Sequence, residues 1–342
     1  MESPTFVATE VKLGILICFQ IPSLICHLFL IYHLIGNKQL REALRNHVIL
    51  LFLIVNGLLI TIDLSMILHF LRLKQLEENS IDFCTTWNFL DAFLSNLSAF
   101  LMMWASAERH LIIFHVRQIF NTNFKRLILH YLPLGLCVIY ALIFYAVAVY
   151  GQFNCRNDEH FHYDEIFCGR TCYVHADVIL STIDLVINRI TCSVLILIFN
   201  LALLLRVLHA KRARNQLIRW RRHKKLMIQM LSIATLYLLG TLPASIAELI
   251  HVFSLTEHNE EESVIQEEIF LYLFYFISLI IPFICLVSLP EISSKISSFI
   301  CCKRTTTNVT PHVALVTHRQ PATIIAYPKR TTRNNVTTFQ HE

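Results

Sequence analysis

Seven apolar stretches, separated by short polar links, constrain this chain more than any other feature. They fall at about 13–35, 47–71, 84–114, 127–150, 176–208, 226–253 and 267–290. A bilayer core of about 30 Å is crossed by about 20 apolar residues in an α-helix, because a helix satisfies all of its own backbone polar groups. Each stretch is long enough to cross with some tilt. The expected fold class is therefore all-α integral membrane, a bundle of seven transmembrane helices. Composition agrees, with 55% hydrophobic and 15% charged residues against about 45–50% and about 25% in soluble domains. Seven spans use up most of the 342 residues.

Residues 1–12 are short and carry Glu2, Glu10 and Lys12, and no cleavable leader is evident. The first apolar run is longer than a signal core and reads as a retained span. Orientation follows from Lys and Arg. Twenty-two of them fall in the 36–46, 115–126 and 206–225 links and the C-terminal region, against five in the alternate links and the N-terminus. That bias predicts a multi-pass protein with an extracellular N-terminus (1–12) and a cytosolic C-terminus. The outer links are acidic, with Glu77, Glu78, Asp158, Glu159, Asp164, Glu165 and Glu260 to Glu262. The basic 206–225 link is suited to anionic lipid, and no nucleic-acid partner is expected. An amphipathic stretch, 291–302, follows the last span and ends in Cys301 and Cys302, candidates for palmitoylation. The polar remainder, 303–342, is expected to be a disordered tail.

The third span is the most informative. Cys84 opens it and Glu108-Arg109-His110 closes it, with 25 residues between Cys84 and Arg109, roughly 37 Å along a helix. Asp91 lies 18 residues before Arg109, five full turns, so both share a face. Ser95, Ser98 and Met102 fill that face between them. Three more cysteines, Cys155, Cys168 and Cys172, lie in the 151–175 outer link. With Cys84 they allow two disulfides in any of three pairings.

Seven spans, a cysteine opening the third and an acid-Arg triplet closing it resemble the rhodopsin-like (class A) G-protein-coupled receptors. The resemblance extends over about residues 13–302, with a short helix 8 at 291–302. Glu108-Arg109-His110 stands for the family's Asp/Glu-Arg-Tyr, with His110 in place of Tyr. Pro243 in Gly240-Thr241-Leu242-Pro243 is similar to the sixth-span kink, with Thr241 at the toggle tryptophan. Pro282 in Ile281-Pro282-Phe283-Ile284-Cys285 is similar to the seventh-span Asn-Pro-x-x-Tyr. Asn46 and Asn56 match the second-span register, but Asn56 replaces the sodium-site Asp, and the fourth-span Trp and fifth-span Pro are missing. The chain thus resembles a divergent member. The resemblance implies that Arg109 packs under a Gα C-terminus once the sixth span swings about Pro243. It also implies that Cys84 bonds one loop cysteine, Cys168 or Cys172, and that Asp91 sits where amine receptors hold an ammonium. Tyr275 stands where opsins carry the retinal lysine, which argues against light sensing.

Ionisable residues inside a membrane are costly and usually functional. Asp177, Ser181, Asp184 and Asn188 recur as one polar face of the fifth span, with Arg189 beside it, and Glu248 follows Pro243 in the sixth. Asp91, Asp184, Asn188, Arg189 and Glu248 are the candidate ligand pocket. Asp91 or Asp184 neutralising Arg189 explains part of this pattern equally well. The expected partners are an extracellular small-molecule or peptide ligand, a heterotrimeric G protein and membrane lipid. No cofactor, metal site or enzymatic activity is expected: no histidine has another three or four positions away, and soluble catalytic motifs are absent. The alternative is a seven-span transporter or channel for a small solute. Only 7 glycines and no visible repeat weigh against it.

Overall fold

The computed structural model describes residues 4–41, 44–73, 81–119, 123–151, 163, 166–169, 173–174, 177–212, 217–253 and 260–288. Cys155, Cys172, the 291–302 stretch with Cys301 and Cys302, and the 303–342 tail lie outside them.

The described residues include seven helices long and apolar enough to cross a membrane, and no strand. Helix α1 is Pro4–Gly36. Helix α2 runs as Leu44–Leu58 and Leu64–Leu73 through a wide π turn, Leu59–Asp63. Helix α3 is Ile81–Ile119. Helix α4 runs as Asn123–Arg126 and Leu132–Tyr150 through the π turn Leu127–Tyr131. Helix α5 runs as Val178–Ile183 and Cys192–Arg212 through the π turn Asp184–Thr191. Helices α6 and α7 are Leu217–Phe253 and Glu260–Ser288.

Sequence periodicity decides which side of each helix faces lipid. On α1 the exposed Ile21, Ile25, Leu28 and Tyr32 recur every three or four residues, and so do the buried Leu16, Gln20, Ser23, His27, Leu30 and Leu34 on the other side. Helix α4 repeats the pattern with exposed Leu132, Leu136, Ile139, Ile143 and Val147. Helix α3 is the axis of the bundle, packing against α2, α4 and α5 and touching α6, while α1 closes onto α2 and α7. The apolar window of α3 is 61% buried, against 17% for α4. Because α3 meets protein on most sides, it can carry Asn88, Asp91, Asn96, Ser98, Ser106, Glu108 and Arg109 without exposing them to lipid.

Close approach explains one glycine. A Cβ on Gly240 of α6 would lie 2.9 Å from Ile277 Cδ1 and 3.8 Å from Phe274 Cα, so the bare backbone lets α6 sit tightly on α7.

Candidate functional site

Cys84, at the start of α3, is disulfide-bonded to Cys168. The short segment Ile166–Cys168 lies on α3, where Asn88 Nδ2 donates to the Phe167 carbonyl oxygen at 3.0 Å and the Phe167 ring sits 5.2 Å from that of Trp87. Phe167, Cys168 and Gly169 all have left-handed backbone (φ 60°, 56° and 87°). Only glycine adopts that conformation freely, so the bond and the Phe167 contacts hold two of these residues against their preference.

The polar groups of the Cys84 half form two clusters. In the first, Trp87 Nε1 donates to Asp63 Oδ1 at 2.9 Å. Tyr275 of α7 donates its hydroxyl to Asp63 Oδ2, and Asp91 Oδ1 lies 3.5 Å from the same hydroxyl. Two carboxylates, from α2 and α3, therefore meet at one phenol. In the second, Asp184 accepts from the Tyr145 hydroxyl (2.5 Å), the Tyr173 hydroxyl (3.0 Å) and Asn188 Nδ2 (3.0 Å). Tyr140 donates to Asn188 Oδ1 at 2.9 Å. Arg189 bonds Glu248 of α6 at 2.6 Å and lies 3.5 Å from Asp184. The Arg189 and Glu248 side chains are 35% and 30% exposed, while that of Asp184 is 4% exposed. Burial and the adjacent Asp184 charge push the Tyr173 phenol well above its ordinary range, so it remains a donor.

This arrangement resolves the fifth-span stripe. Asp177 is not on the helix but caps it, accepting from the backbone N–H of Ile179 and Leu180. Asp184, Asn188 and Arg189 converge with Glu248. Asp91 stands in the other cluster. Glu248 is the acid nearest the Arg189 guanidinium, with Asp184 second.

All three π turns carry buried polar side chains: Asp63, His130, and Asp184 with Asn188. A π turn leaves a looser ladder whose carbonyls need partners. Gln20 of α1 donates to the Ile60 carbonyl oxygen at 2.7 Å, and the Thr191 hydroxyl to that of Val186 at 2.8 Å.

Midway along the bundle, Asn56 Nδ2 donates to the Ser278 carbonyl oxygen (2.9 Å) and lies 3.1 Å from His27 Nε2. His27 Nδ1 donates to the Ser23 carbonyl oxygen at 3.0 Å. These contacts tie α1, α2 and α7 together at the second-span asparagine.

At the far end of α3, Glu108 and Arg109 are buried and His110 half-buried. Glu108 Oε1 is hydrogen-bonded to His130 Nδ1 of the α4 π turn. His130 Nε2 meets His47 Nδ1 of α2 at 3.1 Å, and His47 Nε2 donates to the Arg41 carbonyl oxygen at 2.7 Å. Pro243 lies on an exposed face inside α6, and Pro282 is buried inside α7. Sequence reasoning missed Asp63, Trp87, Tyr145, Tyr173, His47 and His130 as site residues. Asp63 had a signal, being the one ionisable carboxylate between Asn46 and Leu73.

The family model described as 7 transmembrane receptor (rhodopsin family) matches residues 27–285 of the chain. No curated protein matches it.

Proposed function

Because the chain belongs to the rhodopsin family of seven-transmembrane receptors, we propose that it binds an extracellular ligand bearing a positive charge and activates a heterotrimeric G protein through the cytoplasmic ends of its helices. In this reading it is a plasma-membrane receptor without enzymatic activity. Residues 1–12 are extracellular, 13–302 form the receptor domain, and 303–342 form a cytosolic tail, with Cys301 and Cys302 as lipid anchors. The Lys and Arg bias supports that orientation.

The observation that carries the ligand class is the meeting of Asp63 and Asp91 at the Tyr275 hydroxyl. Two carboxylates in a water-poor site repel unless a cation or a proton stands between them. Arg189 is engaged by Glu248 instead. An ammonium group complements the pair, with Trp87 and Tyr275 holding the carboxylates in place. The ligand we favour is an amine. The basic group of a peptide has the same chemistry, and the partly exposed Glu248 offers it a second anion.

At the other end, Arg109 meets the Gα subunit, and the prolines Pro243 and Pro282 let α6 and α7 bend, since each removes a backbone hydrogen bond. The test is nucleotide exchange on Gα in cells expressing the receptor, challenged with a library of amines and peptides. Asp91→Asn is expected to weaken an amine agonist about 10–100-fold, the value of one charge-assisted hydrogen bond. Arg109→Ala is expected to abolish exchange while leaving surface expression intact. Normal exchange in Arg109→Ala refutes the coupling role. Substrate-dependent flux without exchange supports the transporter alternative.

A further inference from the structure

We propose that the Arg189–Glu248 ion pair is a latch that holds the outer arm of α6 against α5, so that α6 swings about Pro243 only when the pair is broken. Arg189 Nη1 bonds Glu248 Oε2 at 2.6 Å, one nitrogen to one oxygen, where the π turn of α5 packs against α6. Glu248 follows Ala234, Tyr237, Thr241 and Ser245 at steps of three and four. Ala234, Tyr237 and Ser245 are buried, while Leu239, Pro243, Ile246 and Ile250 on the other side are exposed. Glu248 therefore lies on the bundle-facing side of α6. Arg189 belongs to the π turn Asp184–Thr191. Residues five apart are hydrogen-bonded neighbours in such a turn, so Asp184 backs the guanidinium from its own helix, 3.5 Å away.

Lever lengths show why one ion pair at this place restrains the whole helix. Pro243 lies inside α6, five residues before Glu248, and removes one backbone hydrogen bond, which makes it the pivot. At about 1.5 Å per residue, the outer arm from Pro243 to Glu248 is about 7.5 Å long, and the inner arm is about 18 Å to Leu231 and about 39 Å to Leu217. A movement of about 2 Å at Glu248 carries the 2.6 Å bond beyond hydrogen-bonding range. The same rotation of a rigid lever carries Leu231 by about 5 Å and Leu217 by about 10 Å. An intact pair therefore admits only small excursions of the inner end. Beside the pivot, the close approach of Gly240 to Ile277 braces α6 on α7, so that the arms rotate there.

The pair can open without stranding its arginine. Asp184 waits as a second acid for Arg189, and the Glu248 side chain is 30% exposed and open to an incoming group. On the receptor reading above, on which this consequence rests, a basic group of the ligand takes Glu248, Arg189 turns to Asp184, and the outer arm of α6 is released. The latch itself stands without that reading, and its test needs neither ligand nor G protein.

The experiment measures the distance between spin labels on α4 and α6 by electron–electron double resonance, in the full-length, ligand-free chain in lipid nanodiscs. The labels sit on encoded ketone residues at positions 126 and 225, which leaves the native cysteines untouched. Wild type is compared with Arg189→Gln, Glu248→Ala and the double variant. A hydrogen bond between charged groups shifts an equilibrium tenfold or more when buried, and one-third exposure screens part of that. The expected result is a rise of about threefold to tenfold in the ratio of long to short distances in each single variant, with no further rise in the double variant. Unchanged distances in both single variants overturn the proposal, and so does a double variant whose rise is the product of the two. Glu248→Gln, which keeps the shape and removes only the charge, replaces either variant that does not fold. Nucleotide exchange on Gα, measured on the same samples, separates the two readings. Longer distances without any exchange uphold the latch and count against G-protein coupling, whereas exchange with unchanged distances overturns the latch and leaves coupling in place.

Discussion

Tyr145→Phe removes one oxygen from the centre of the α4–α5 contact and nothing else. The Tyr145 side chain is 0% exposed, and its hydroxyl donates to Asp184 Oδ1 at 2.5 Å. A hydrogen bond to a charged acceptor contributes about 1.5–3 kcal/mol net. The second contact of that hydroxyl, from Asn188 Nδ2 at 3.3 Å, is replaceable, because the same amide donates to Asp184 at 3.0 Å. Phenylalanine keeps the ring volume, so no cavity term adds to the loss. About 2 kcal/mol follows, which lowers the melting temperature of a chain this large by roughly 3 °C. Tyr140→Phe serves as the internal comparison. Its hydroxyl donates to the neutral Asn188 Oδ1 and its side chain is 42% exposed. Its cost is at the low end for a neutral hydrogen bond, about 0.5–1 kcal/mol. A thiol-reactive fluorophore reads unfolding directly, since the Cys26 and Cys192 thiols are buried in the folded bundle and not disulfide-bonded. Equal melting temperatures for Tyr145→Phe and wild type, or a larger drop for Tyr140→Phe, refute the view that Asp184 is a buried anion held by phenols.

Two further substitutions test the frame around the site. Cys84→Ser opens a loop of 84 residues and is expected to cost about 2–4 kcal/mol. The loss appears as a lower melting temperature that dithiothreitol reproduces in the wild type but not in the variant. Gly240→Val places branched carbons where a single Cβ already comes within 2.9 Å of Ile277. Overpacking of this kind costs about 1–3 kcal/mol, and Ile277→Ala in the same chain is expected to recover part of it in the same melting assay.

The seven crossings were legible because bilayer length and backbone satisfaction leave so few solutions for apolar stretches. Pairing of clusters was less legible. Asp91 and Arg109 were found from one helix, whose register is fixed by 3.6 residues per turn. Which acid meets Arg189 depends on how α5 and α6 are rotated against each other, and periodicity within one span says nothing about that. Glu248 was therefore named as a pocket residue but not as the guanidinium's nearest acid. Asp63 and Tyr275 were visible as individual residues, yet their meeting with Asp91 requires α2, α3 and α7 to be assembled. Tyr145 gave no signal, because a tyrosine in an apolar stretch reads as ordinary core until the carboxylate it serves is located, and Tyr173, in the 151–175 link, reads as an ordinary loop residue.

Helix α5 shows why straight helical wheels mislead in this bundle. Its buried residues Asp184, Asn188, Cys192, Ile196 and Asn200 recur at steps of four. On a regular α-helix each such step drifts by about 40°, because four residues exceed one turn. Two steps would carry Cys192 well away from the direction of Asp184. The π turn Asp184–Thr191 places more residues in each turn and takes up that drift. One line of side chains therefore stays buried from the aspartate bound by Tyr145 and Tyr173 down to Asn200, which donates to Ser106 Oγ of α3 at 3.0 Å. The widened turn costs regular hydrogen bonds, and the Thr191 hydroxyl offsets part of that at the Val186 carbonyl. What the chain gains is a continuous α3–α5 contact joining the charged cluster near Cys84 to the residues just ahead of Glu108 and Arg109.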